Sequence, residues 1–202
     1  LSPGQKIVTF VNRKLEPYRG CHTMIRAIPH LQQLMPDAKL LIVGETSGVS
    51  YGAACPDGEW KDKFLAEIEG QYDPSKVHFT GMVPYNDFIP LLQLSQVHVY
   101  LTYPFVLSWS CLEAMSCGCP IIGSSTPPVE EVLKHSQNGL LCDFFNPQQL
   151  ADSVQILLED RAMATTLGHA ARNTILKKYS LQTCIDHQIN LINLVKNGGI
   201  IP

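Results

Sequence analysis

Three groups of residues could act on an anionic ligand that carries hydroxyls. Arg13, Lys14 and Arg19 put three cations into one short stretch. Arginine's planar fork suits phosphate oxygens, and hydrogen bonds of this charged kind contribute about 1.5–3 kcal/mol each. Ser108-Trp109-Ser110 leads into an apolar, helix-like run, where unsatisfied backbone N–H groups and the helix dipole favour a phosphate. Glu113 is the one carboxylate in the run from Pro104 to Ser125.

Two roles fit Glu113. Ser110-x-x-Glu113 has the form of a capping box, with Ser110 capping a helix and Glu113 returning a hydrogen bond to the Ser110 N–H. A carboxylate can also accept from two vicinal hydroxyls at once, which suits a ribose beside a phosphate site. Other chemistries have less support. There is no G-x-G-x-x-G after the first apolar run and no P-loop sequence, so the usual dinucleotide and nucleoside-triphosphate cradles are missing. Cys117-Gly-Cys119 lacks a second Cys or His pair at zinc-site spacing. Cys55 precedes Pro56 with no flanking cation to lower its pKa, which argues against a redox domain. No metal and no cofactor are expected.

These residues need a scaffold that gathers them. Lys6 to Val11, Lys39 to Gly44, Val77 to Thr80, Val97 to Leu101, Pro120 to Gly123 and Leu140 to Cys142 are short apolar runs with strand character. Helical spacing fills Cys21 to Leu34, Glu59 to Glu69, Phe88 to Leu94, Ser110 to Cys117 and Pro127 to Leu133, and dominates from Gln148 to Val195. Strands apolar on both faces, alternating with helices, predict an α/β fold: a doubly wound, Rossmann-like parallel sheet covered on both sides, with a helical C-terminus. Ligands in such sheets bind outside the carboxyl ends of the strands. The loops at 12–19, 45–58, 81–86, 102–110 and 124–128 therefore share one rim.

The chain has 202 residues, 45% of them hydrophobic and 16% charged, with a formal net charge of −3. This fits one sizeable domain, residues 1–202, and lacks the basic face that nucleic acid requires. No apolar run is long enough for a transmembrane segment. Seven cysteines, an odd number and several of them in apolar runs, fit small core residues in a reducing cytoplasm. Peripheral association of a longer protein with a membrane stays open. No signal-like segment precedes the first strand, and the start at Leu1 suggests a segment of a longer protein.

The series Asn12-Arg13…Tyr18-Arg19-Gly20, Leu40 to Gly44, Val77 to Val83, Val97 to Leu101, Leu112-Glu-Ala-Met-Ser-Cys-Gly-Cys-Pro-Ile-Ile122 and Asn138 to Leu141 runs through nearly the whole chain. It resembles the carboxyl-terminal half of bacterial-type family 4 (group 1) glycosyltransferases of the GT-B fold. The resemblance implies that the domain binds a nucleotide-sugar donor, with UDP or GDP as the nucleotide. It also implies metal-independent transfer with retention of anomeric configuration. The acceptor would sit in an amino-terminal domain outside this chain.

By the same resemblance, Arg13 and Arg19 are the catalytic cations on the diphosphate, aided by N–H groups near Ser108, Trp109 and Ser110. Glu113, beside Leu112, holds the ribose, and backbone around Gly81, Met82 and Val83 meets the base. The family's first motif glutamate, a contact to the transferred sugar, would fall at Phe105. Asn12 and Ser108 stand where the family has glycine, and Arg19 where it usually has lysine. The departure at Phe105 keeps a second reading open: a non-catalytic module that binds a nucleotide or a partner. The last helix, Leu181 to Val195, either packs toward the amino-terminal half or contributes ordinary core.

Overall fold

The structure is a computed structural model and describes residues 5–198. The outermost residues of the expected domain, 1–4 and 199–202, lie outside the described residues. Six parallel strands form one sheet in the order β3-β2-β1-β4-β5-β6. They are β1 (Ile7–Lys14), β2 (Lys39–Glu45), β3 (Val77–Gly81), β4 (Val97–Tyr100), β5 (Ile121–Ser124) and β6 (Leu140–Cys142). The helices are α1 (Cys21–Leu34), α2 (Trp60–Glu67), α3 (Tyr85–Leu94), α4 (Trp109–Ser116), α5 (Pro127–Val132), α6 (Pro147–Glu159), α7 (Arg161–Lys178) and α8 (Leu181–Lys196). The expected doubly wound Rossmann-like fold with a helical C-terminus is the observed one.

The two central strands explain the apolar runs. Ile7 to Asn12 of β1 and all of β4 are buried, because helices cover both faces of the sheet. One apolar layer joins α1, α2 and α6 to Val8, Phe10, Leu40 and Ile42. The other joins α3, α4, α5 and α7 to Val11, Val43, Tyr100 and Ile121. Each fully buried Leu, Ile or Phe side chain contributes about 1.5–3 kcal/mol relative to exposure.

The seam between β1 and β4 is short, pairing Val8 with Val97, Thr9 with His98 and Phe10 with Val99. Side chains reinforce it: Thr9 Oγ1 lies 2.7 Å from Ser95 Oγ and 2.8 Å from His98 Nδ1. The strand order reverses at this seam, since β2 and β3 lie on one side and β5 and β6 on the other. The carboxyl ends of β1 and β4 are thus the switch point at which such sheets form ligand crevices.

Gly20 sets the entry to α1. It adopts φ +72° between the turn Pro17–Arg19 and the helix, and a Cβ there would collide with Leu101. The tight approach lets the 17–20 turn lie against the end of β4.

At the other end of the chain, α8 has no buried residue. Its apolar positions Ile185, Ile189, Leu191, Ile192, Leu194 and Val195 are all at least 39% exposed, so the ordinary-core reading of them does not hold. No helix among the described residues is long and apolar enough to cross a membrane.

Candidate donor-binding site

A cleft of about 350 Å³ opens at the switch point. Val11, Asn12 and Arg13 from the end of β1 and Val43 from β2 form one wall. Met82, Val83, Tyr85 and Phe88 enter from the turn after β3 and the start of α3. Ser108, Trp109, Ser110 and Glu113 come from the start of α4. The rim inferred from the strand order is therefore real at this point, and it gathers seven of the expected site residues in one place.

Arg13 is exposed near the end of β1, where the pairing with β2 shifts register between Val11 and Lys14. Its guanidinium makes no hydrogen bond or ion pair among the described residues. Lys14, by contrast, is occupied, 2.9 Å from Glu45 Oε2 and 2.7 Å from the Ser47 carbonyl. Asn12 is buried and donates from Nδ2 to the Arg19 carbonyl at 3.4 Å. Its side chain is thus tied to the 17–20 turn while the residue still lines the cleft.

Helix α4 begins one residue earlier than the periodicity predicts, with Ser108 as its N-cap in an extended conformation. Ser110 is therefore inside the first turn. The capping box does not form: there is no side-chain cap, and Ser110 Oγ instead donates to Ser108 Oγ at 3.2 Å. Glu113 is freed from that role, and its carboxylate faces Tyr85. The charge pushes the Tyr85 phenol above its ordinary pKa, because an adjacent carboxylate disfavours the phenolate.

The Ser108 N–H is also not free. It donates to the Tyr100 hydroxyl at 2.6 Å, a contact that a buried phenol accepts readily. Burial pushes the Tyr100 phenol up to about 12, so it stays neutral. The N–H groups left without a partner among the described residues are those of Trp109 and Ser110. The unsatisfied N–H groups of α4 thus begin one residue after Ser108.

Arg19 does not line the cleft. It is buried, and Nη1 donates to Thr102 Oγ1 at 2.9 Å and to the Val106 carbonyl at 3.0 Å, with Tyr100 Oη at 3.5 Å. The rings of Phe105 and Tyr51 lie 4.8 Å and 5.1 Å from its Cζ, in cation–π range. Gly20 aims the side chain this way by pressing the turn onto β4. Glu16, itself buried, holds Tyr51 in place by accepting the Ser50 and Tyr51 N–H groups at 2.7 and 2.8 Å.

Phe105, Gly81 and Leu112 also stand outside the cleft lining. Phe105 packs over Arg19, Gly81 makes the left-handed turn (φ +69°) before Met82, and Leu112 packs against the apolar layer on the α4 side. Tyr85 and Phe88 went unrecognised in the sequence; the only cue was the Pro84-Tyr85 step that follows the third strand.

The chain belongs to the family Glycosyl transferases group 1, whose pattern matches residues 1–174. Among its relatives, the N-acetyl-alpha-D-glucosaminyl L-malate synthase of Bacillus anthracis is 28% identical over 168 residues, covering 81% of this chain and 40% of that protein. The sucrose-phosphate synthase of Thermosynechococcus elongatus has the same fold, with a TM-score of 0.81 at 22% identity over 98% of this chain and 47% of the other. So does Anabaena HepE, solved in complex with UDP-glucose, with a TM-score of 0.75 at 20% identity over 94% of this chain and 49% of the other. The chain spans 40–48% of the length of the first three curated relatives it matches.

Proposed function

We propose that this chain is the donor-binding half of a retaining glycosyltransferase that works without a metal or other cofactor and takes a UDP- or GDP-sugar. The observation that carries the reading is the convergence, in one cleft at the β1/β4 switch point, of an unpaired arginine, two unpartnered N–H groups and a carboxylate. Arg13 and the N–H groups of Trp109 and Ser110 hold the diphosphate. Glu113 accepts from the ribose hydroxyls, and Met82 and Val83 flank the base.

In transfer, an acceptor hydroxyl oxygen bonds to the anomeric carbon as the bond between the sugar and the diphosphate oxygen breaks. The electron pair of the broken bond leaves with the phosphate, which takes up the hydroxyl proton. The α4 amides, held by the helix before that charge develops, stabilise it, and Arg13 adds a positive charge beside them. Arg19 serves the same step indirectly. It fixes the 102–106 segment and Tyr100, and Tyr100 fixes Ser108.

The acceptor would be held by an amino-terminal domain of the longer protein, and the exposed apolar side of α8 suits packing against that domain. The chain alone then binds nucleotide weakly and does not turn over. Titration with UDP and GDP tests the site: substitution of either Arg13 or Glu113 by alanine is expected to weaken binding. Unchanged affinity in both variants would overturn it.

A second reading, nucleotide binding without transfer, is favoured by Phe105. Its ring covers Arg19 and offers no acceptor to a sugar hydroxyl. Donor hydrolysis or transfer by the longer protein separates the two readings.

A further inference from the structure

A second cavity, of about 420 Å³, lies at the opposite end of the sheet from the donor cleft. It is bounded by the segments that immediately precede β4 and β5, residues 93–96 and 117–120, and by one face of α7. That face presents Arg161, Thr165, His169 and Arg172, spaced so that successive helical turns bring them to the same side. Gly168 makes the fit close: a Cβ at this position would collide with the Gly118 carbonyl.

The cavity has the wrong charge for this protein. Acidic residues outnumber lysine and arginine in the chain, 18 to 15, yet no Asp or Glu lines it. The neighbouring acids are engaged elsewhere. Asp160 caps α7 by accepting the Met163 N–H at 2.8 Å, and Glu159 accepts from Gln155 Nε2 at 3.1 Å. The ion pairs among the described residues use Lys14, Arg26, Lys61 and Lys76, and none uses Arg161 or Arg172.

The guanidinium of Arg161 has no partner among the described residues, whereas Arg172 donates from Nη1 to the Ser116 carbonyl at the end of α4. Arg172 also shares an adjoining hollow with Glu113 without forming an ion pair. Gln93 and Gln96 add amides and Thr165 a hydroxyl along the wall.

We propose that this cavity is a binding site for a phosphorylated polyol: His169 and Arg172, one helical turn apart, take the phosphate, and Arg161, Thr165, Gln93 and Gln96 take the hydroxyls along the wall. A guanidinium fork suits phosphate oxygens, and a charged donor such as Arg161 also suits a hydroxyl oxygen. Amides that both donate and accept suit hydroxyls. The site does not depend on the donor reading, since it shares no residue with the donor cleft.

The probes are glycerol 3-phosphate, inorganic phosphate and glycerol, titrated into the chain by calorimetry and followed by backbone NMR. Glycerol 3-phosphate is expected to bind at millimolar concentration and to shift amides of residues 93–96, 117–120 and α7. Inorganic phosphate should compete, and glycerol alone should not bind. Arg161→Glu, at an exposed position whose guanidinium has no partner among the described residues, should weaken glycerol 3-phosphate by roughly tenfold or more, the effect of losing one charged hydrogen bond. It should leave UDP affinity unchanged.

Arg172→Gln should weaken glycerol 3-phosphate similarly, with circular dichroism reporting that the fold is kept. The proposal is overturned by an absence of glycerol 3-phosphate binding, by amide shifts confined to the donor cleft, or by unchanged affinity in Arg161→Glu. It is also overturned if vesicles containing phosphatidylglycerol bind and the soluble ester does not.

Discussion

The Tyr100 hydroxyl accepts the Ser108 N–H at 2.6 Å while Arg19 Nη1 approaches the same oxygen at 3.5 Å. The buried end of β4 is thereby connected to the first turn of α4, and the 17–20 turn is connected to both. Tyr100→Phe removes the acceptor and leaves a half-buried N–H unsatisfied. We expect a loss of about 1–3 kcal/mol in unfolding free energy, measured by denaturant titration. Nucleotide affinity should fall with it, because Trp109 and Ser110 follow Ser108 directly.

Arg13 and Arg19 should separate cleanly on two readouts. Arg13→Ala is expected to weaken UDP binding by roughly tenfold or more, as for the loss of one charged hydrogen bond, without changing the melting temperature. Arg19→Lys shortens the side chain and loses the Nη1 donor that reaches Thr102 and Val106, along with the planar face against Phe105 and Tyr51. Its melting temperature should therefore drop, and its affinity should fall only as the 102–106 segment loosens. Equal melting temperatures for wild type and Arg19→Lys would remove the strut role.

Glu113→Gln tests two claims at once. Neutralising the carboxylate should bring the Tyr85 phenol back down toward its ordinary pKa, read by ultraviolet difference titration. If Glu113 also accepts from the ribose, the variant should lose the preference of the wild-type chain for UDP over 2′-deoxy-UDP. A retained preference would place the ribose elsewhere.

Two buried histidines give the fold an acid limit. Burial pushes His98 down to about 3, and burial, followed by the nearby Arg26 charge, pushes His22 down to about 4. Both stay neutral in the folded chain and take up protons on unfolding, so the folded state is favoured above the unfolded value near 6.5. Stability should fall by about 1.4 kcal/mol per pH unit per histidine below about 6.5, ending near the folded values. His22 sits among Phe64, Phe144 and Phe145, and its Nδ1 has no partner. His22→Phe should therefore make the decline between pH 6.5 and 4 shallower, measured by unfolding at a series of pH values.

Much of this architecture is legible in the residue order. The runs KIVTFV, KLLIVG and VHVYL contain the central strands because a sheet covered on both faces has no polar alternation to hide them. The position of the cleft follows from the strand order. What escaped the sequence is side-chain direction. Arg13 and Arg19 look equivalent as loop cations, but only the contact of Gly20 with Leu101 turns Arg19 inward.

Glu113 fits a capping box on spacing alone, and the helix starts one residue too early for it. Tyr85 escaped because the first turn of α3 is largely exposed, so its residues show no apolar periodicity, and the apolar pattern alone starts the helix at Phe88.

The narrow seam of β1 with β4 has a mechanical consequence. Residues 11–13, 43 and 82–88 of the cleft lie on one side of that seam, and residues 108–113 lie on the other. A nucleotide spanning them acts as a rivet across a line joined by three pairs, as few as at either junction beyond it. Its binding should appear first as slower hydrogen exchange along β4, before any change at the sheet's outer edges.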